Sequence, residues 1–376
     1  MHIEILKLIL QIGNIKINSM TKKILFFSIL LFLFGNLFAQ KYSNDFLNIG
    51  VGARAQGMGK AFVASVNDVT SGYWNTAGLM HLNGNYKYQA AAMHSEWFAG
   101  IGKFDYLGFA MPISKNRVVG IQAIRFGIDD IPNTLNLYDK DGKVNYDNIL
   151  PFSAADYGFL FNYAQGINVK KGKLSLGGNL KVIYRKIGSF ANAFGFGLDL
   201  GAQYAIGHWD FGFSGKDITT TFNAWRFSFS DQDKSVFQST GNDIPENSLE
   251  ITKPKMILGT AFHTRLKKYG VRSEVDFILT TDGQRNTLVS ADPFSMDIAI
   301  GLEGDYKELV YFRLGANNFQ QDKDLFKDDY WTVEPTMGLG IHYKQFALDY
   351  AFTDIGDSRN NTYSHIISLV VGFNNK

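Results

Sequence analysis

Six histidines lie beyond residue 80, at positions 81, 94, 208, 263, 342 and 365, and no two are closer than thirteen residues. None can form the HxH or HExxH pair that sets two imidazoles on one metal ion. No GxSxG nucleophile elbow and no phosphate-binding loop occurs, so acyl transfer and nucleotide hydrolysis have no local signature. The chain has no cysteine, which removes thiolate nucleophiles, thiolate metal sites and disulfide frameworks together. A triad drawn from distant strands is defined by geometry and leaves no mark on local spacing. On its local spacing the chain is read as non-catalytic, with no cofactor and no metal.

The remaining chemistry is charge. Arg54 stands in residues 47–79, where Gly50, Gly52, Gly57 and Gly59 allow a backbone to turn and pack where a Cβ would clash. A guanidinium in a confined interior must find carboxylates or carbonyls. Asp199, Asp210, Asp297, Glu303 and Asp349 are the candidate partners. Lys181, Arg185, Arg272, Glu274, Asp276 and Arg313 also fall at inward positions of the pattern described next. Both signs are interspersed and no ring of one sign forms, so a salt-bridged interior is expected rather than an ion-selective pore.

The elements that must position these residues are strands. From residue 85 the sequence alternates apolar and polar positions over stretches of about ten residues, the pattern of a transmembrane strand. Leu174, Leu176, Leu180, Val182 and Tyr184 alternate with Ser175, Gly177, Asn179 and Lys181. Phe194, Phe196, Leu198 and Leu200 alternate with Gly195, Gly197 and Asp199. About fourteen such stretches can be placed, beginning near residues 86, 103, 117, 156, 173, 193, 208, 255, 269, 295, 310, 336, 346 and 364. Short links alternate with mostly longer ones at 130–155, 216–252, 281–294, 318–335 and 354–363. Short periplasmic turns and long outer loops are the rule for bacterial barrels. The strands are too long for a soluble sandwich or propeller, where about 5–6 residues is usual. The expected fold is an all-β transmembrane antiparallel barrel of about fourteen strands over residues 85–376, with a small N-terminal plug at 40–84.

Residues 20–40 read as a secretory signal: Lys22 and Lys23, an apolar run from Ile24 to Phe34, and a cut after Ala39. Met20 is the expected start, with 1–19 an upstream extension of the 1–39 signal. The apolar run is too short for a helical span of about 20 residues. Removing 1–39 takes four lysines and one glutamate from 37 basic and 35 acidic residues, leaving 33 against 34. A near-neutral chain offers no electrostatic case for nucleic acid. Aromatics at 15% suit girdles at the two faces of an outer membrane, with its lipid as partner.

The elements Gly50-Val-Gly-Ala-Arg54-Ala-Gln-Gly57-Met58-Gly59, Asn67-Asp68 and Tyr73-Trp74-Asn75-Thr76-Ala77-Gly78-Leu79 resemble the N-terminal signature of the PorV/PorQ family, nearer its PorV side. That family is related to FadL-type outer-membrane transporters, whose hatch carries Asn-Pro-Ala; here Thr76 replaces the proline, Lys60 a glycine and Asn67 an aspartate. The resemblance implies a FadL-like barrel in a Gram-negative outer membrane. It also implies a part in type IX secretion, with the translocon, the attachment complex and cargo C-terminal sorting domains as partners. Gly50, Gly52, Arg54, Gly57, Met58, Gly59, Asp68, Trp74 and Asn75 are the plug residues so marked, structural or substrate-facing. The aromatic run with Trp225, Phe227 and Phe229 is a candidate partner-binding loop, or else a girdle strand extended outward. Residues 231–248 read as a mobile surface loop. The alternative is a FadL-like transporter of small hydrophobic molecules, which predicts an apolar pocket beneath the plug.

Overall fold

The computed structural model describes residues 43–97, 100–138, 142–323, 329–353 and 364–374, all within one unit, Gln40–Lys376. The expected export signal lies outside these residues. Sixteen antiparallel strands follow one another: β1 (Tyr88–Trp97), β2 (Gly102–Ser114), β3 (Arg117–Asn133), β4 (Leu150–Ile167), β5 (Lys173–Ile187), β6 (Ala191–Ile206), β7 (Trp209–Lys216) and β8 (Thr221–Phe227), then β9 (Ser248–Thr252), β10 (Lys255–Leu266), β11 (Tyr269–Thr280), β12 (Ser295–Tyr306), β13 (Val310–Lys323), β14 (Asp329–Tyr343), β15 (Phe346–Thr353) and β16 (Ser364–Phe373). β1 pairs with both β2 and β16, β5 with β4 and β6, and β7 with β6 and β10. The wall therefore closes as a barrel of fourteen strands, β1–β7 with β10–β16. Closure leaves no edge in the bilayer, where a bare amide or carbonyl costs several kcal/mol.

The period of two in the sequence becomes inside and outside. In β6, Ala193, Asp199 and Gln203 are buried while Phe194, Phe196, Leu198 and Leu200 are exposed. Such outward residues recur on every face, as at Leu176, Leu180, Leu302, Leu348 and Leu369. They are the surface a lipid bilayer would cover. Among the described residues no helix is long and apolar enough to cross a membrane.

Several elements depart from the sequence expectation: β3 and β13 run on to Asn133 and Lys323, into the expected loops. β4 starts at Leu150 and β14 at Asp329, earlier than expected, each pairing above the expected start with an equally extended neighbour, β3 and β13. The stretch 216–252 is not a plain loop either. β8 and β9 form a hairpin that continues the β7–β10 pair upward, with β8 bonded to the upper part of β6. Gly215 pairs with Leu200 and Phe222 with Phe196, so residues 216–221 face only 197–199 in a large bulge. The hairpin tip carries helix α1 (Asp231–Ser239), started by a reciprocal Ser230–Asp233 capping box. That box satisfies amide donors in a stretch whose polarity reads as loop.

Residues 43–86 do not join the wall. They lie inside it as short helical turns, α2 (Ala53–Gly57) and α3 (Ser71–Trp74) by our naming, and 3-10 turns at Asp45–Asn48 and Thr76–Leu82. Val51, Met58, Phe62, Val66, Leu79 and Leu82 are almost fully buried there against Phe104, Ile124 and Ile366 of the wall. The core of the molecule is thus the lumen of the barrel.

Candidate functional site

The inner segment is seated by close backbone approaches. Gly57 lies against Gly338 of β14, where a Cβ would come 2.9 Å from the Gly338 Cα. Gly59 has φ +62 and faces Ala316 of β13, whose nitrogen would be 2.5 Å from an added Cβ. Both a left-handed backbone and an absent side chain are required there. Met58, between them, is fully buried against Gly301 and Gly315. Gly50 and Gly52, also at positive φ, carry the chain under Trp74, whose indole donates to the Val51 carbonyl at 2.9 Å. The Trp74 ring stands edge-on to Phe62 and Tyr73, with centroids 6.4 and 5.0 Å away. Asp68 Oδ1 accepts from the Thr70 amide (2.8 Å) and hydroxyl (2.5 Å), which sets the turn entering α3.

Arg54 makes a fork with Glu303 of β12: Nε and Nη2 each donate to one carboxylate oxygen at 2.8 Å. Its Nη1 donates to Asn67 Oδ1 at 2.8 Å, Asp68 lies 4.0 Å off, and the guanidinium sits 5.0 Å over the Phe62 ring. Burial works against the Arg54 charge, but Glu303 outweighs it and holds the pKa above the ordinary arginine value. Glu303 also accepts from Arg313 at 2.7 Å and Arg272 at 3.1 Å. Arg313 continues to Asp349 at 2.7 Å, and His342 closes the row 3.1 Å from the same oxygen. Of the five candidate carboxylates, Glu303 meets Arg54 directly and Asp349 only through Arg313. Asp199 pairs with Lys181 at 2.8 Å, Asp210 lies 3.0 Å from His263, and Asp297 accepts from the Ile298 amide at 2.8 Å. A second acidic anchor lies on β11. Asp276 accepts from the Phe62 and Val63 amides at 2.9 and 3.1 Å, and Glu274 from the Ala64 amide at 2.6 Å.

Sequence reasoning missed a row of neutral polar side chains across β2–β5. Tyr106 donates to Gln122 (2.5 Å), Gln122 to Asn162 (2.8 Å), and Asn162 to Asn179 (2.6 Å). Asn162 and Asn179 both donate to the Gly72 carbonyl at 3.0 Å, and the Thr76 hydroxyl donates to Asn179 Oδ1. The signal was available as one polar residue in the inward register of each successive strand. Asn75 completes the attachment, its amide donating to the carbonyls of Val63 (2.9 Å) and Ala202 (3.0 Å).

Two cavities flank this layer. One, about 540 Å³, lies toward the long loops and is walled by Tyr73, Trp74, Leu160 and Ile257 together with six cationic and six carboxylate residues. Lys181, Asp199 and Asp217 belong to it, Lys181 bonding both aspartates beside the β7–β8 bulge. The other, about 340 Å³, lies among the short turns and includes His81, Lys173, Ser175, Gln203 and Asp210. The loop-side cavity mixes apolar side chains with charges, where the transporter alternative predicts a plainly apolar pocket. The inward face of a barrel strand is mostly polar, and the apolar contact in the loop-side cavity comes chiefly from Tyr73 and Trp74 of the inner segment.

Trp225, Phe227 and Phe229 share one side of β8 and its extension. They stack in a row at 6.1 Å spacings that ends on Phe190 and Phe237. Arg185 covers the Trp225 ring at 5.0 Å, and its indole donates to Glu250 at 3.0 Å. The row is a half-buried packing unit at the loop rim. Among the described residues no group of three or more histidines or carboxylates is placed to hold a metal ion.

No family model matches the chain, and no curated protein matches it. Solved structures do. The CymD monoaromatic hydrocarbon channel aligns at 12% identity over 87% of this chain and 98% of its own, with a TM-score of 0.54. The Pseudomonas putida toluene transporter TodX aligns at 11% identity over 89% and 98%, with a TM-score of 0.53. A FadL homologue from Pseudomonas aeruginosa aligns at 11% identity over 86% and 98%, with a TM-score of 0.52. At these identities the likeness is one of fold: the chain has a FadL-like outer-membrane β-barrel fold, shared with channels and transporters.

Proposed function

We propose that the chain is a FadL-like transporter in a Gram-negative outer membrane, carrying small molecules with a polar or charged group, and that it acts without catalysis. The observation that carries this reading is the 540 Å³ cavity on the loop side, held inside a closed wall and floored by the inner segment. That volume suits a small ligand, for which pockets of about 300–1,000 Å³ are usual. Tyr73 and Trp74 offer an apolar contact, and the surrounding lysines and aspartates meet a charge of either sign. The neighbours named as hydrocarbon channels support transport, and the charged wall shifts the expected solute away from pure hydrocarbon. Purified barrel in liposomes, offered toluene and arginine separately, tests the reading. Uptake of arginine above protein-free liposomes supports it, and toluene alone would return the reading to a hydrocarbon channel. Uptake of neither would count heavily against transport.

The type IX reading rests on the N-terminal signature and on the ordered β8–β9 hairpin with α1, which gives the loop rim a surface for a partner protein. Its test is deletion of the gene and quantification of sorting-domain proteins at the cell surface. Their loss, with periplasmic accumulation, would restore this reading to first place.

A further inference from the structure

The two cavities share a pair of strands. Inward positions of β6 run Asp199, Gly201, Gln203, and those of β5 run Lys181, Asn179, Gly177, Ser175. Asp199 and Lys181 line the loop-side cavity, while Gln203 and Ser175 line the turn-side one. At about 3.4 Å per residue, Asp199 and Gln203 are roughly 14 Å apart along the strand. Midway between them Gly201 and Gly177 are direct register partners. Two adjacent inward glycines make a notch in the wall, and Asn75-Thr76-Ala77 fills it. A Cβ on Gly177 would come 2.5 Å from the Ala77 nitrogen, and one on Gly201 would overlap Asn75 Oδ1.

The partition is not equally thick all round. Against β5, β7, β13 and β14 the segment presses backbone on backbone, at Ala77 with Gly177, Val63 with Gly212, Gly59 with Gly315 and Gly57 with Gly338. No rotamer change can open those contacts. At Gly201 the two nearest atoms belong to the Asn75 side chain, which is held by the Val63 and Ala202 carbonyls. Those carbonyls can bond to water once the amide leaves. The inward residues above and below are Lys181, Asn179, Asp199, Gln203 and Ser175, all polar.

We propose that Asn75 is the closing side chain of a hydrophilic route down the inner face of β6, past Gly201, joining the two cavities and passing small water-soluble ions and zwitterions. The inference rests on the transporter reading and adds to it a path, a gate and a solute class. The segment stays seated throughout, and only the Asn75 amide moves out of the notch.

The test uses the full barrel in planar bilayers bathed in potassium chloride, with folding checked by heat-modifiable gel mobility and seating by protease resistance. Asn75→Ala should bring a steady current absent from the native barrel. Because the chain lacks cysteine, Ser175→Cys gives a second readout. A membrane-impermeant maleimide added to whole cells should label it only when Asn75→Ala is also present. Should Asn75→Ala unseat the segment, Asn75→Ser carries the same two measurements. A folded, seated variant that passes no current and gains no labelling would overturn the gate, as would equal labelling in both backgrounds. A native barrel that takes up arginine beside a silent Asn75→Ala sinks the route and keeps the transporter. A conducting Asn75→Ala beside a native barrel that takes up neither solute does the reverse.

Discussion

Arg54 and Glu303 are joined by two parallel hydrogen bonds of 2.8 Å, one to each carboxylate oxygen, between the inner segment and β12. The side chains are only 11% and 5% exposed, so neither charge can fall back on water. Breaking a buried pair of this kind by removing one partner costs about 3–5 kcal/mol. The two ends are not equivalent, however. Glu303 serves Arg54, Arg313 and Arg272 together, whereas Arg54 gives up one main partner. Arg54→Met should therefore lower the unfolding free energy of the micelle-held barrel, read from its urea midpoint and slope, by an amount in that range, and Glu303→Leu should lower both it and the midpoint further. Equal midpoints for the two would mean that the row does not act as one network.

Gly59 and Gly207 have nearly the same backbone, φ +62 and +61, but opposite surroundings. Gly207 sits in the β6–β7 turn with nothing within 4 Å of an added Cβ, while Gly59 faces the Ala316 backbone at 2.5 Å. Gly207→Ala should cost only the left-handed backbone penalty, about 1–2 kcal/mol. Gly59→Ala must also push the segment off β13, so it should be the more destabilising of the two and expose residues 43–86 to protease. Limited proteolysis with N-terminal sequencing of the fragments reads this. Equal resistance in the two variants would show that the seat yields easily.

The barrel was legible because its determinant is local. Alternation at Phe194–Leu200 and Leu174–Tyr184 needs no knowledge of what lies across the lumen, and short turns at 207–208 or 344–345 announce themselves. Partners across the lumen were not legible. Arg54 was recognisable as a buried cation in want of a carboxylate, yet five inward candidates were equivalent in sequence, and only the closing of the barrel brings Glu303 to it. The amide row from Tyr106 to Asn179 escaped for a similar reason: each member is a single neutral polar residue, unremarkable until the strands stand side by side. The helix at 231–239 carried its capping box in plain view, but the residues after Ser230 have no apolar stripe, and capping alone weighs little against polarity.

Asp276 holds the segment by its backbone rather than by charge. It accepts the amides of Phe62 and Val63, two donors with no water to turn to, and is itself fully buried. Asp276→Leu leaves both donors without an acceptor, at about 1–3 kcal/mol each. Asp276→Asn keeps a carbonyl oxygen in place and should lose far less. Amide hydrogen exchange should show this at residues 62 and 63, fast in the leucine variant and slow in the asparagine one. Fast exchange in both would mean that the carboxylate charge, not its geometry, fixes this part of the segment.

The β8–β9 hairpin separates the two functional readings, because it stands outside the fourteen-strand closure. β7 bonds to β10 without it, and β9 pairs with β8 and with no second strand among the described residues. Replacing residues 229–245 by a short glycine-serine turn removes α1 and the end of the aromatic row, while leaving Trp225 over Arg185 and its bond to Glu250. The shortened barrel should insert, migrate as a folded species and keep native arginine uptake, since the cavity wall is untouched. A carrier that docks folded cargo at this rim would instead lose its clients. Surface proteomics and liposome uptake on the same variant decide: retained uptake with unchanged surface proteins supports the transporter, and a selective loss of sorting-domain proteins from the surface would make the hairpin a docking site.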